Sequence, residues 1–139
     1  FYLGEKRKSK ILDMLSGISS KDPSWISYNE ENVRIKNNDP MRLEGFLARS
    51  NVCLFTLVNN LNKKNKFKLK NKNLQIASFN GVDDDVTGGD KGLLNTKNIL
   101  SSIGYENLYF KTYDHMKHEV LNEDERFEVF EDIYMFFKK

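Results

Sequence analysis

The chain has 139 residues, of which 39% are hydrophobic and 30% charged, and its formal net charge is +2. This length and composition fit one globular domain or a large piece of one, and the small net charge gives no indication of nucleic-acid binding. The single cysteine, Cys53, excludes an internal disulfide and suits a reducing compartment, so we expect a cytoplasmic protein. The sequence has no apolar run of membrane-spanning length and does not begin with the pattern of a signal peptide.

Residues 1–70 have an irregular pattern that favours helices. Ile11, Leu15 and Ile18 recur at helical spacing, which predicts a helix between residues 6 and 18 with these side chains on its apolar face.

A second helix is predicted over residues 51–61, and its first turns carry little polar surface. Such a helix is either buried or covers an apolar ligand. The basic run that follows, residues 62–73, is most simply a solvated linker, and attraction to an anionic lipid surface is a weaker alternative.

Residues 71–139 alternate strands and helices. Residues 74–79 and 107–113 have the apolar alternation of strands. Between them, a helical stripe over residues 93–103 is followed by Gly104, a residue type that commonly ends helices.

A last helix is predicted near the end of the chain. Asn122 is the expected N-cap, with Glu125 three residues later as in a capping box. The predicted apolar face consists of Phe127, Phe130, Tyr134 and Phe137, with Val129, Ile133 and Phe136 close by. The order strand–helix–strand–helix predicts an α/β fold with a parallel sheet covered by helices.

Polar side chains follow both predicted strands. Asp83, Asp84 and Asp85 follow the first strand, and His115 and His118 follow the second. Ligands of parallel α/β sheets bind beyond the carboxyl ends of the strands, where these two loops would meet. An acid there could orient an imidazole for proton transfer, but acidic loops and histidines before helices are more often plain surface residues.

Metal and phosphate sites fit these loops less well. A calcium loop beginning at Asp83 would need Glu at its twelfth position, where the chain has Leu94. The two histidines have no evident third zinc ligand. The glycine-rich stretch after the aspartates lacks the Gly-Lys-Ser/Thr ending of a P-loop, so no metal or cofactor is expected.

Three segments resemble the lysophospholipase and monoacylglycerol lipase (serine aminopeptidase-like) group of α/β-hydrolases. Residues 117–123, KHEVLNE, are similar to that group's Arg-His-Glu-(Ile/Val)-Leu-Asn-Glu segment, and residues 80–92, NGVDDDVTGGDKG, to its Gly-x-x-Asp-Pro-Val-Gly-Gly loop. Residues 25–46 resemble its Trp-Leu-Ser-Arg-Asp-like motif and the Asp-Pro that follows in the cap. The three matches occur in the family's order and span most of the chain.

The resemblance implies roles for individual residues. The acid of the family's catalytic triad corresponds to Asp84, and its base corresponds to His118. The chain departs from the family at Asp85 and Asp114, where the family has Pro, and at His115, where it usually has Gly. These departures leave the acid and the base in place but alter the stiffness of their loops.

The resemblance also implies a division of the chain. Residues 1–70 would form a helical cap with a basic linker at its end, and residues 71–139 the C-terminal β-α-β-α part of the hydrolase core. The cap would shape an acyl pocket, for which plain packing of the cap is an equally good alternative. The candidate lining residues are Leu54, Phe55, Leu57 and Val58.

The nucleophile expected of such an enzyme is not in this sequence. The chain has no Gly-x-Ser-x-Gly elbow, and the family's triad order places the Ser before the Asp and the His. We therefore expect the Ser and the oxyanion donors before residue 1, and we expect this chain alone to be inactive. It would be the C-terminal half of a serine esterase acting on lipid esters such as lysophospholipids or monoacylglycerols.

The alternative function is that of a non-catalytic module that binds a partner or itself through exposed strands. An N-terminal half of the enzyme and a second copy of the chain are the expected protein partners. Contact with a membrane surface is only weakly indicated.

Overall fold

The computed structural model of the chain describes residues 6–15, 23–41, 45–61 and 63–138. Its helices are α1 (Lys10–Leu15), α2 (Glu30–Asn38), α3 (Ala48–Leu61), α4 (Gly89–Ile103) and α5 (Arg126–Lys138), and its strands are β1 (Ile76–Gly81) and β2 (Leu108–Tyr113). Short 3-10 turns occur at Pro23–Trp25, Lys64–Lys66 and Val120–Asn122. None of these described helices combines the length and the apolar character needed to cross a membrane.

The chain divides into two compact units. The first consists of Phe1–Asp22 and Asp39–Phe67, and the second of Pro23–Asn38 and Lys68–Lys139. The predicted division near residue 70 into a cap and a core stays a prediction. By its contacts, the segment Pro23–Asn38 packs with the second unit. The physical reason is a set of hydrogen bonds, described below, between this segment and the loop that follows β2.

The first unit is organised by a buried carboxylate. Asp13 of α1 accepts hydrogen bonds from the backbone N–H of Phe46 at 3.0 Å and from the side-chain amide of Asn51 at 3.2 Å. The predicted apolar face of α1 is wrong for Ile11 and Leu15, which are exposed, because the polar side of the helix is the one that packs. The third residue of that predicted face, at position 18, lies outside the described residues.

The second unit contains a two-stranded parallel sheet. Ile76 of β1 pairs with Leu108 of β2, and the register continues to Gly81 and Tyr113. The predicted strand–helix–strand unit is thus confirmed, with β1 starting two residues later than predicted. The α4 helix connects the strands and ends at Gly104, whose left-handed backbone donates its N–H to Leu100 and Ser101, as the sequence predicted.

The core of this unit lies beneath α5. Tyr113, Met116, Val120 and Val129 are buried together, and Phe79 and Ile133 pack against them. The four side chains predicted to form the apolar face of α5 are largely exposed, with Phe127 69% and Phe137 80% exposed, so that part of the prediction is wrong. Val129 and Ile133, predicted to lie close by, are the side chains that pack on the core. Both faces of α5 are apolar, and the described residues cover only the face that includes Val129.

The predicted start of α5 is also wrong. The helix begins at Arg126, and Asn122 lies in a 3-10 turn, where its side-chain amide donates to Glu119 at 2.7 Å. Glu123 has an extended backbone, with φ of −74° and ψ of 166°, so the chain is not helical between Asn122 and Arg126.

A polar cluster joins α5 to β2. Lys111 forms ion pairs with Glu128 and Asp132, and the hydroxyl of Tyr113 donates to Asp132 at 2.7 Å. The hydrogen bonds from Lys111 and Tyr113 lower the pKa of Asp132 below its ordinary value of 3.8. Burial, and then the hydrogen bond to Asp132, raises the pKa of Tyr113.

The lowered pKa of Asp132 predicts a specific acid sensitivity. The ionised carboxylate stabilises the folded chain above about pH 5, and this stabilisation is lost as the pH falls through the lowered folded pKa. We expect Asp132→Asn to unfold at lower urea concentration than the wild type at pH 6, and to lose less stability between pH 6 and pH 3. Urea denaturation at both pH values measures the difference.

The control is Glu131→Gln, which removes an exposed carboxylate from the neighbouring position of α5. It should keep the wild-type pH dependence. Equal pH dependence of all three proteins would contradict the stabilising role of the Asp132 cluster.

Candidate active site

The loops that follow the two parallel strands meet at the carboxyl edge of the sheet. We call residues 82–88 the acid loop and residues 114–119 the histidine loop. The N–H of Asp83 donates to the carbonyl oxygen of Met116 at 3.0 Å, which joins the two loops directly. The sequence predicted this meeting from the strand order alone.

The two backbones approach so closely because β1 ends in a glycine. A Cβ atom at Gly81 would lie 2.1 Å from the carbonyl oxygen of Met116 and 2.4 Å from that of Lys117. Both distances are far inside van der Waals contact, and both obstructing atoms are backbone atoms that cannot rotate away. A side chain at this position would push the histidine loop off the acid loop.

The meeting of the loops brings the two predicted catalytic residues together. Asp84 Oδ2 lies 3.1 Å from His118 Nδ1, a hydrogen-bonding distance. Asp84 is only 4% exposed. Its other oxygen accepts the N–H of Val86 at 2.8 Å, and its backbone carbonyl accepts the Thr87 hydroxyl at 3.0 Å. These hydrogen bonds within the acid loop hold Asp84 in one orientation, independently of its contact with the imidazole.

This contact defines what the imidazole of His118 can do. With its proton on Nδ1 directed at the Asp84 carboxylate, the neutral ring presents Nε2 as a proton acceptor. Within the described residues, no hydrogen bond engages Nε2, and the side chain is 40% exposed. This is the arrangement that a general base and its orienting acid require.

His115, the other histidine, has a different environment. Its ring stacks on Tyr28 with centroids 4.1 Å apart, and its backbone has a positive φ of 55°. This left-handed conformation favours glycine, the residue that the resembled family usually has at this position. The structure thus separates the two histidines: only His118 contacts the buried acid.

Tyr28 is a site residue that sequence reasoning missed. Its hydroxyl donates to Asp83 Oδ2 at 3.0 Å, and this hydrogen bond is the main cause of its raised pKa. The ammonium of Lys117 lies 4.2 Å from the centre of the Tyr28 ring. An open pocket of about 430 Å³ lies beside these side chains and is lined by Tyr28, Val82, Asp83, Asp84, Asp85, Gly88, Gly89 and Lys117.

Glu123 is a second residue to which sequence reasoning gave no role. It is 1% exposed, and it accepts hydrogen bonds from the Ser27 hydroxyl and from backbone N–H groups on both sides of the site. These N–H groups belong to Tyr28, Asn29 and Lys117, at 2.8, 3.2 and 2.8 Å. The only sequence signal was its membership of the KHEVLNE segment, since spacing alone cannot show which glutamate is buried.

Glu119 also links the histidine loop to α2. It accepts hydrogen bonds from the side chains of Asn32 and Asn122, and its carboxylate lies 3.1 Å from the Lys36 ammonium. Burial alone would raise the pKa of Glu119, but these hydrogen bonds outweigh burial and lower it. Its backbone N–H donates to Ile26 at 2.9 Å.

The four predicted acyl-pocket residues lie on α3 in the first unit. Leu54 is half-buried, and Phe55, Leu57 and Val58 are exposed. Their predicted role in substrate binding stays a prediction.

Comparison with known proteins supports the fold. A highly thermostable carboxyl esterase from Bacillus coagulans, crystallised in complex with glycerol, is similar to this chain with a TM-score of 0.76 and 21% sequence identity. The match covers 96% of this chain and 46% of the esterase, so the chain spans about half the length of that protein. No family model and no curated protein sequence matches the chain. At this identity the likeness shows the fold alone: the chain has the α/β architecture of part of that esterase, a helical segment followed by β-α-β-α.

The close approach at Gly81 predicts a large effect of a single methyl group. We expect Gly81→Ala to lower the free energy of unfolding by about 3 kcal/mol, because the methyl would overlap two carbonyl oxygens. Gly89→Ala is the control, since a Cβ there meets nothing within 4 Å. It should cost only about 1 kcal/mol for its positive φ. Equal losses in urea denaturation would contradict the proposed overlap.

The positive φ of His115 predicts an order of stability among its variants. We expect His115→Gly to be more stable than His115→Ala by about 1 kcal/mol, because both lose the ring on Tyr28 but only glycine relieves the left-handed backbone. Urea denaturation of the two variants at one pH measures the difference. Equal stability, or an alanine variant that is more stable, would contradict it.

Proposed function

We propose that this chain provides the acid and the base of a serine ester hydrolase of the lysophospholipase or monoacylglycerol lipase type. The observation that carries the proposal is the hydrogen bond between the buried Asp84 carboxylate and His118 Nδ1 at the carboxyl edge of a parallel sheet. The hydrolase-like fold of the chain supports it. The substrate class, a carboxylic ester of a lipid, comes from the sequence resemblance.

The geometry supports a definite role for each residue in the reaction. His118 Nε2 takes the proton of a serine hydroxyl as the serine oxygen attacks the ester carbon. His118 then gives this proton to the departing alcohol, and the carbon–oxygen bond of the ester breaks. Water then attacks the acyl-serine and loses a proton to His118. The bond between the acyl carbon and the serine oxygen breaks, His118 gives its proton to the serine oxygen, and the carboxylic acid leaves. Asp84 orients the ring and stabilises its charged form throughout.

The serine and the oxyanion donors of this proposal come from a complementary half of the enzyme. The sequence has no Gly-x-Ser-x-Gly elbow, and the chain matches only 46% of the esterase that it resembles in fold. The chain by itself is then inactive, because a base with no nucleophile has nothing to activate.

Two exposed features of the second unit fit such a complementary half. The β1–β2 sheet has no further strand among the described residues, so its outer edges present unpaired backbone groups. Beside it, α5 exposes an aromatic stripe made of Phe127, Phe130, Tyr134 and Phe137. Additional parallel strands that carry their own apolar face would pair with the sheet and cover this stripe.

The remaining chain fits the roles of a cap. Residues 1–70 would cover the substrate, with Leu54, Phe55, Leu57 and Val58 of α3 lining the acyl chain. The basic run after α3 would be a solvated surface that can approach an anionic membrane.

The second candidate function is a non-catalytic module that self-associates. The same open sheet edges and aromatic stripe favour it, because a second copy of the chain would cover them as well.

The decisive experiment compares this chain with the longer product obtained by including the coding sequence upstream of Phe1. We expect a fluorophosphonate probe to leave the chain alone unlabelled and to label a serine of the added segment in the longer product. In that product, His118→Ala should reduce ester turnover by about 10³-fold or more. The matched control His115→Ala should keep most of the activity, because His115 does not contact Asp84.

Labelling of a serine within residues 1–139 would contradict the proposed source of the nucleophile. Equal losses in the two histidine variants would contradict the assignment of the base. A longer product that is absent or inactive, together with a dimer of this chain in size-exclusion chromatography, would favour the non-catalytic module.

A further inference from the structure

We propose that Glu123 is a positioning residue that holds the histidine loop so that His118 Nδ1 stays on Asp84. The inference gives a role in the proposed active site to a residue for which neither the sequence resemblance nor the fold comparison gives one. The inference rests on the proposed function only for the role of His118 as the base. The hydrogen bonds that position His118 do not depend on any activity.

Four donors converge on the Glu123 carboxylate. One oxygen accepts the N–H of Lys117 at 2.8 Å, and the other accepts the Ser27 hydroxyl at 2.7 Å. The second oxygen also accepts the N–H groups of Tyr28 and Asn29, at 2.8 and 3.2 Å. The residue is 1% exposed, so water cannot replace a lost partner. One carboxylate therefore joins the histidine loop to a segment that lies 94 to 96 positions before Glu123 in the sequence.

These bonds act on the backbone at both sides of His118. Lys117, the preceding residue, is bound by Glu123, and Glu119, the following residue, donates its N–H to Ile26 at 2.9 Å. The imidazole itself contacts the Trp25 ring, with centroids 5.3 Å apart. The peptide that carries the base is thus fixed to the segment of residues 25–29, and that segment is fixed by Glu123.

The chemistry at this point requires a carboxylate rather than any polar group of that size. An ionised carboxylate only accepts hydrogen bonds, and every partner of Glu123 is a donor. A glutamine would direct its NH₂ group at either the Lys117 N–H or the Ser27–Asn29 donors, whichever way the amide is turned. Two hydrogen-bond donors would then face each other where water cannot reach them. The contact between Glu123 and either Lys117 or residues 27–29 would be lost.

The test reads the state of His118 directly in the 139-residue chain. In ¹⁵N-histidine-labelled protein at about pH 9, where ordinary imidazoles are neutral, two-bond correlation spectra distinguish the Nδ1–H from the Nε2–H tautomer. The wild type should have the Nδ1–H form that Asp84 selects. Asp84→Asn is the reference for a lost contact, because an amide can no longer act as the anionic acceptor.

We expect Glu123→Gln to change the His118 tautomer ratio at least about fivefold toward Nε2–H, the change that corresponds to losing about 1 kcal/mol of a hydrogen bond. The matched control is Glu125→Gln, which makes the same chemical change at an exposed position two residues away. It should leave the ratio unchanged. A general loss of stability without loop displacement would lower the urea midpoint of Glu123→Gln but not move its tautomer ratio.

A milder variant decides the question if Glu123→Gln does not fold. Ser27→Ala removes one of the four donors and keeps the charge, and it should shift the ratio in the same direction by about twofold. The positioning role would be overturned if Asp84→Asn shifts the His118 tautomer ratio while every folded variant of Glu123 and Ser27 keeps the wild-type ratio.

The outcome is separable from that of the proposed function. If the Glu123 and Ser27 variants shift the tautomer but the longer product hydrolyses no ester, the positioning role stands and the proposed function fails. If the longer product is an esterase and the tautomer does not respond to Glu123 or Ser27, the proposed function stands and the positioning role fails.

Discussion

The second unit depends on one buried charge. Glu123 lies between two parts of the chain that are distant in sequence, and the folded state must provide hydrogen bonds to its carboxylate because water cannot reach it. The hydroxyl and N–H groups of residues 27–29 and the N–H of Lys117 meet this requirement. This constraint accounts for the packing of Pro23–Asn38 with the sheet unit.

The site is held by polar contacts and close backbone approach more than by a large core. Only a few apolar side chains are buried beneath α5, whereas many large ones remain exposed. Within that small core, Gly81 lets the two loops touch, and Asp84 and Glu123 each satisfy a group of donors. A carboxylate with several donors can take only one orientation, so it positions a neighbouring imidazole more sharply than apolar packing would.

The exposed apolar surface and the organised site have a common explanation in the proposed half-enzyme. A sheet of two parallel strands is ordinarily too small to cover both of its helices, and parallel sheets are usually buried on both faces. The aromatic stripe of α5 is the part of that surface that the described residues leave uncovered. Asp84 and His118 are nevertheless brought together without it, because among the described residues their contacts lie within the two loops and residues 25–29.

The sequence by itself determined the order of strands and helices in the second unit and the glycine that ends α4. These follow from periodicity and turn residues, which are local properties of the chain. The assignment of Asp84 and His118 as acid and base came from the family resemblance and stays a prediction. The same local rules gave the wrong buried face for α1 and α5 and the wrong start for α5. Where both sides of a helix are apolar, or where a polar side packs, periodicity alone cannot choose.

Only the tertiary structure decided which histidine meets Asp84, which face of α5 is covered, and that Glu123 is buried while Glu125 is exposed. These are outcomes of contacts between residues far apart in sequence. A buried charge is determined by the donors that surround it, and here most of those donors come from the segment that precedes α2, far from the loop that they hold.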